Sequence, residues 1–279
     1  MSGEKPFLFL HIPRTAGTTL NRLLERAFPQ DAVLSLYSRD DFARHALIDR
    51  ERLARLRLIQ GHVLLSDYAA FTFYDTPVRA FTFLREPVSR VISEYHFLRA
   101  WPGQHLHGLL NEPGMDLAAY VTSNHKLLRY KGSNFMTRVL SGLDPEADPA
   151  TALETAQANL RDRFACFGLT ERFDESLLLL ADVLGLTDLL YERQNVLRRP
   201  AQARATPEER ELVAARNALD VSLYVFAASL FEVRLAAGGQ AFATRLAAHV
   251  RILAKFQKVC GLLDARTGQA GGAIDKPKG

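Results

Sequence analysis

Apolar positions along this chain fall into a few short, dense runs, each followed at once by a turn and then by helix-forming sequence. Phe7 to Ile12 is the first, and it passes through the small, hydroxyl-rich loop Pro13-Arg14-Thr15-Ala16-Gly17-Thr18-Thr19 into a segment opening at Leu20. Residues 78 to 84 are β-branched and aromatic, and Pro87 then opens a helix at the one position where a missing N–H does no harm. Both read as strand, turn, helix, and Leu58-Ile59-Gln60-Gly61-His62 and Phe164 to Leu169 read as further short strands.

The rest of the chain is patterned mainly as helix. Ser38-Arg39-Asp40-Asp41 has the form of a capping box opening a charged helix to about Arg57, with Phe42, Leu47, Leu53 and Leu56 on its apolar side. Pro-Gly turns between Trp101 and Gly114 predict an irregular loop whose His105 and His107 are solvated. Residues 116 to 162 are helical with breaks at Ser141-Gly142 and Asp144-Pro145. Thr206-Pro207-Glu208-Glu209 caps a helix or helix pair to about Ala236, with Leu212, Ala215, Leu219, Leu223, Phe226, Leu230 and Val233 as its core stripe. Gln240 to Leu263 is amphipathic, basic through Arg245, Arg251, Lys255 and Lys258, and is read as a peripheral helix packed on the same domain rather than on a membrane. Past Asp264 small polar residues predict a disordered tail, so the expectation is a single domain over 1–263 and a tail over 264–279.

Composition narrows the class. With 48% apolar residues in 279, the chain can build a sizeable core, and 35 Lys and Arg against 31 Asp and Glu leave +4. That mildly basic balance suits polyanionic ligands and falls short of a nucleic-acid-binding signature. The amino-terminal stretch has the pattern of neither a signal peptide nor a membrane anchor, and no transmembrane segment is expected. Two cysteines, Cys166 and Cys260, make no disulfide framework, which points to a reducing cytoplasm.

The loop after the first strand is where chemistry is expected. A helix starting there aims unpaired N–H groups and its positive dipole end at one spot, Gly17 permits close approach and the Thr hydroxyls add donors. A phosphate or sulfate fits, although an ordinary capped helix would have a similar loop. It is not a Walker loop, because no Lys follows Gly17; the loop's cation is Arg14. Arg85 stands where the second strand gives out, and Ser93 lies about two turns into the following helix, so both can face one ligand above the strand ends.

Together the two segments resemble the cofactor motifs of sulfotransferases that use 3′-phosphoadenosine-5′-phosphosulfate (PAPS), most of all the heparan-sulfate and uronyl 2-O- and 6-O-sulfotransferases and their bacterial relatives. His11-Ile12-Pro13-Arg14-Thr15-Ala16-Gly17-Thr18-Thr19 matches the family loop that cradles the 5′-phosphosulfate, with Arg14 where Lys is usual; Arg85 and Ser93, eight apart, match the motif that grips the 3′-phosphate. Gln60-Gly61-His62-Val63 resembles the Gly-His segment that supplies the catalytic base of the 2-O branch. Asn134, Thr137 and Arg138, Gly168 to Glu171, and Leu219 to Tyr224 resemble further family patches.

The resemblance implies an α/β fold with a P-loop-like central parallel sheet flanked by helices and a helix-rich carboxyl-terminal half. It implies a bacterial cytoplasmic O-sulfotransferase acting on an acceptor hydroxyl, on a saccharide or glycan, without a metal. In such an in-line displacement His62 would take the acceptor's proton, and Arg14 would stabilise charge on the bridging oxygen. Thr15, Ala16, Gly17, Thr18 and Thr19 would hold the 5′-phosphosulfate, and Arg85 and Ser93 the 3′-phosphate. Structural alternatives remain for each: a core or capping His62, an ion-paired Arg14 or Arg85, a Ser93 bonded back to its own helix. Asn134 and Arg138 shape the cofactor or acceptor side or simply cap and pack a helix, and Arg198 and Arg199 read as solvated loop charge. Two rival functions stand beside the sulfotransferase: a P-loop small-molecule kinase, and a non-catalytic module of the same fold that binds acidic partners.

Overall fold

In the computed structural model the described residues are 5–38, 40, 41, 43, 50–62, 78–192 and 205–267. The short apolar runs become one five-stranded, all-parallel sheet of β1 (Phe7–Leu10), β2 (Val33–Leu36), β3 (Leu58–Gly61), β4 (Arg79–Leu84) and β5 (Phe164–Leu169), in the order β2-β3-β1-β4-β5. Parallel neighbours need crossovers, and these are helical: α1 (Gly17–Ala27), α2 (Arg50–Arg55), α3 (Pro87–Ala100), α4 (His107–Leu110), α5 (Leu117–Thr122), α6 (Lys126–Gly132), α7 (Phe135–Ser141), α8 (Pro149–Asp162), α9 (Phe173–Leu184), α10 (Pro207–Arg216) and α11 (Ala218–Thr267).

The strands are mainly apolar and buried because both faces of the sheet are covered. Leu8, Leu10, Leu34, Leu36, Ile59 and Ala80 point to one side, against α7, α8 and the first half of α11. Phe7, Phe9, Phe81, Phe83 and Cys166 point to the other, against α1, α9 and Leu253 near the end of α11. A third cluster, centred on Val91, Tyr95 and Tyr120, joins α3 to α5, α6 and α10. The chain runs outward from β1 to β2, comes back through β3, and then continues on the far side of β1 in β4. Such a reversal opens a crevice at the carboxyl ends of the strands.

The predicted capping boxes form. Ser38 Oγ accepts from the Asp41 N–H at 3.2 Å while the Asp41 carboxylate accepts from the Ser38 N–H at 2.8 Å, and Thr206 and Glu209 cap α10 reciprocally. Leu56 is buried as expected; Phe42, Leu47, Arg198, Arg199 and the side chain of Leu53 lie outside the described residues. The loop after Trp101 contains the short α4, pinned by the buried Leu106 and Leu110.

Two expectations about the carboxyl-terminal helices change. The inward stripe of α10 and α11 is Val213, Asn217, Asp220, Leu223, Ala227 and Phe231, so only Leu223 of the predicted stripe is fully buried, and Val233 is 65% exposed. Asn217 and Asp220 bury themselves as hydrogen-bonding groups, which moves the register off the purely apolar spacing. The break expected between Ala236 and Gln240 is present: α11 is two helices meeting at a kink at Gly239, whose left-handed φ of 55° interrupts the helix. It continues to Thr267, past the expected end at 263, and residues 268–279 lie outside the described residues. Although α11 is long and apolar enough to cross a membrane by length and composition, Leu223, Ala227, Phe231 and Leu253 pack into the two sheet cores. Those contacts run along both of its halves and bind it to the domain.

Candidate active site

Strand ends build the site. Tyr37, His62, His11 and Arg85 are the residues that immediately follow β2, β3, β1 and β4. Gly61 is what lets β3 end so close to β2, since a Cβ there would lie 2.1 Å from the Leu36 carbonyl oxygen. His62 and His11 are then fixed by ladder bonds, His62 N–H to Leu36 O at 3.1 Å and His11 N–H to Gly61 O at 2.9 Å.

Between β1 and α1 the backbone adopts two left-handed conformations at residues that carry a Cβ, Arg14 (φ 70°) and Ala16 (φ 66°). Each costs on the order of 1 kcal/mol, and such strain gathers at functional loops. The turn delivers Ala16 as the N-cap of α1 with no side-chain cap and no acidic residue in the first turn, so the end of this helix presents bare donors and a positive dipole. Gly17 is required here: a Cβ on it would sit 1.7 Å from His11 Nε2. The fully buried Thr15 hydroxyl donates to the Ile12 carbonyl at 2.7 Å and stiffens the loop from within. What Thr15 offers the crevice is its backbone. Thr18 is exposed at the helix start and Thr19 is buried.

The second motif closes onto this loop. Arg85 Nη1 donates to the Arg14 carbonyl at 3.0 Å, Arg14 Nε donates to Ser93 Oγ at 3.1 Å, and the Arg14 guanidinium lies 4.6 Å from the centre of the Phe97 ring. Ser93 therefore faces the loop and not its own helix. Glu86 is engaged elsewhere, capping α3 by accepting from the Val88 and Ser89 N–H groups at 2.9 and 2.8 Å. Burial draws Arg85 below the usual arginine range, against the opposing pull of Glu171 and Glu86; it stays a cation at neutral pH. Two guanidiniums, a buried hydroxyl and an uncapped helix end thus converge with few acids between them.

His62 is tied to the same loop through His11. Its Nδ1 lies 2.8 Å from the His11 carbonyl oxygen. A carbonyl only accepts, so Nδ1 carries the proton and Nε2 keeps its lone pair. One edge of the ring meets solvent, while the His11 ring at 4.7 Å and the Tyr37 ring at 4.9 Å crowd the remainder. Desolvation lowers the His62 pKa from 6.5; the His11 carbonyl opposes this, Lys131 adds to it and Glu94 opposes it. His11 is held well below 6.5 by burial and by its proximity to His62 and Arg14, and its Nδ1 is 3.1 Å from the Tyr37 hydroxyl, which Asn21 also contacts.

Sequence reading missed His11, Tyr37, Glu94 and Lys131 as parts of the site. Glu94 is 3% exposed, with one carboxylate oxygen 3.5 Å from Lys131 Nζ. Its signal was an acid within the otherwise apolar face Val91-Ile92-Tyr95 of α3. Asn134 and Arg138 stand outside the site. Asn134 Oδ1 accepts from the N–H groups of Leu219 and Asp220, and Arg138 pairs with Asp144 and stacks on Tyr130. Among the described residues no group of three or more His, Cys, Asp or Glu side chains is placed to hold a metal.

The galactose-3-O-sulfotransferase family model matches residues 4–267. Galactosylceramide sulfotransferase of Bos taurus is 26% identical over 275 residues, covering 92% of this chain; the chain spans 64% of the length of that relative. Among solved structures, a mouse sulfotransferase, SULT7A1, complexed with PAP aligns over 77% of this chain and 64% of its own, at 14% identity and a TM-score of 0.38. A sulfotransferase from Alicyclobacillus acidocaldarius aligns over 78% of this chain and 94% of its own, at 17% identity and a TM-score of 0.44. The matching family is directed to galactose, and no relative named here is a heparan-sulfate enzyme.

Proposed function

Since the chain belongs to the galactose-3-O-sulfotransferase family, we propose that it transfers a sulfuryl group from PAPS to a hydroxyl of a galactose-bearing glycan or glycolipid, with His62 as general base. When bound, the donor supplies a sulfuryl group on a phosphate leaving group. The residues present fit it: the uncapped start of α1 and the close approach at Gly17 suit a 5′-phosphosulfate. Arg85 and the buried Ser93 suit the 3′-phosphate, the group that distinguishes this donor from ATP. Arg14 spans the two subsites and would neutralise charge developing on the leaving oxygen.

The observation that carries the mechanism is the bond from His62 Nδ1–H to the His11 carbonyl. It fixes the tautomer so that Nε2 receives the acceptor's proton, and a pKa below 6.5 keeps that nitrogen unprotonated at neutral pH. Glu94 and Lys131 act on this nitrogen through space, the carboxylate favouring the proton once it has arrived and the ammonium resisting it.

Calorimetry with 3′-phosphoadenosine-5′-phosphate beside ADP and ATP with magnesium, together with a transfer assay to a galactoside, tests the reading. The bisphosphate is expected to bind best, and His62→Ala to bind it as the parent does while transfer falls by about 10²–10⁴-fold. Preference for ATP with magnesium would return the chain to a kinase reading. Undiminished transfer by His62→Ala would remove the base.

A further inference from the structure

The part of α11 beyond Gly239 has two unlike faces. His249, Leu253, Phe256 and Cys260 turn toward the domain, where Leu253 and Phe256 join the cluster under α9 and Gln257 reaches the Tyr191 carbonyl. Beside that buried face, and around to the side opposite it, the helix exposes apolar side chains: Ile252 is 52% exposed, Val259 55%, Leu262 58% and Leu263 54%. At about 100° per residue, Val259, Ile252 and Leu263 fall within about 40° of one another, and Lys258, Arg251, Leu262 and Lys255 fill the adjoining arc of about 60°. Between Glu232 and Asp264 the chain has no Asp or Glu at all, while Arg234, Arg245, Arg251, Lys255 and Lys258 are basic.

We propose that this face docks on an anionic lipid bilayer, with the helix lying in the interface. The apolar row would enter the headgroup boundary, and the flanking Lys and Arg would reach acidic headgroups along their apolar stems. Charge decides for this occupant over a second copy of the chain. A two-fold interface sets the same patch against itself, and here that would bring Arg251, Lys255 and Lys258 against their own copies with no acid on the strip to offset them. A spanning orientation is ruled out by Leu253, which is 3% exposed in the domain core. The inference stands apart from sulfuryl transfer, and its test reads lipid binding alone.

The test is co-sedimentation of the full chain with vesicles of phosphatidylcholine, with or without about 30% phosphatidylserine, at low and high salt. Binding is expected to the anionic vesicles only, to weaken at high salt, and to fall at least about tenfold in the double variant Lys255→Glu and Lys258→Glu. Ile252→Ser with Val259→Ser is expected to weaken it further with thermal unfolding unchanged, since all four side chains are exposed. No binding to anionic vesicles, or binding indifferent to these variants, overturns the proposal. A dimer in sedimentation equilibrium that dissociates in the Ile252→Ser, Val259→Ser variant would assign the face to a second copy instead.

Discussion

The amino ends of α1 and α7 carry the same orphan N–H groups and meet opposite fates. At α1 no side chain caps the end and no acid lies in the first turn. At α7 the buried Asp220 accepts from the Met136 and Thr137 N–H groups at 3.0 and 2.8 Å and from the Thr137 hydroxyl at 2.8 Å. Asn134, just ahead of α7, returns the favour by accepting from the first turn of α11, and Asn217 accepts from the Asn134 N–H and donates to the Gly132 carbonyl. Both regions resemble family motifs in sequence. One leaves its donors uncapped and the other closes them on the protein, so family likeness alone does not separate an open loop from a structural clasp.

That contrast can be broken from either side. Asp220→Ala should have the largest effect, a loss of about 3–5 kcal/mol in chemical denaturation, because three donors lose their acceptor and the buried Arg90 loses a nearby opposite charge. The folded fraction should keep its affinity for 3′-phosphoadenosine-5′-phosphate. Gly17→Ala should do the reverse. Its Cβ would displace His11 from beside the loop, and donor affinity measured by calorimetry should fall about 100-fold, roughly 2.7 kcal/mol, with a smaller change in unfolding midpoint. Arg85→Lys keeps the charge but loses the fork that reaches the Arg14 carbonyl, and should weaken binding about tenfold.

The smallest expected effects sharpen the electrostatics. Glu94 raises the His62 pKa and Lys131 lowers it, so the acid limb of the rate profile should move to lower pH in Glu94→Gln and to higher pH in Lys131→Met. Shifts in the same direction would show that the pair acts on His62 only through packing. His11 and His62 both titrate below 6.5 in the folded chain. The unfolded chain then binds more protons in that window, so their contribution to stability is whole above about pH 6.5 and is lost as the pH falls through the folded values. Unfolding midpoints measured from neutral to acid pH check the sign.

Much of this architecture was legible because it rests on local pattern. The apolar runs at β1, β3, β4 and β5, and the capping boxes at Ser38 and Thr206, declare themselves within a few residues. β2 did not, since Val33-Leu34-Ser35-Leu36 is a four-residue edge strand paired only with β3. The inward register of α11 was hidden because Asn217 and Asp220, polar residues, occupy buried positions whose partners lie more than 80 residues away. In the site, Arg14, Arg85 and Ser93 were readable from spacing and do meet. His11 was readable only as a letter of a motif. Its service as ring against Gly17 and as carbonyl under His62 depends on β1 and β3 being neighbours, which no stretch of sequence states.

The clasp between Asn134 and Asp220 also sets a timetable. Its two halves are 86 residues apart, and at about 5–20 residues per second the ribosome needs roughly 4–17 s to deliver the second after the first. Through that interval α7 has an open amino end, and the sheet face that α11 covers is without its Leu223, Ala227 and Phe231. The nascent chain can assemble its strands early, but it locks only when residues 217–231 emerge. For that interval the loop between β1 and α1 sits on an unfinished domain whose apolar sheet face is still uncovered.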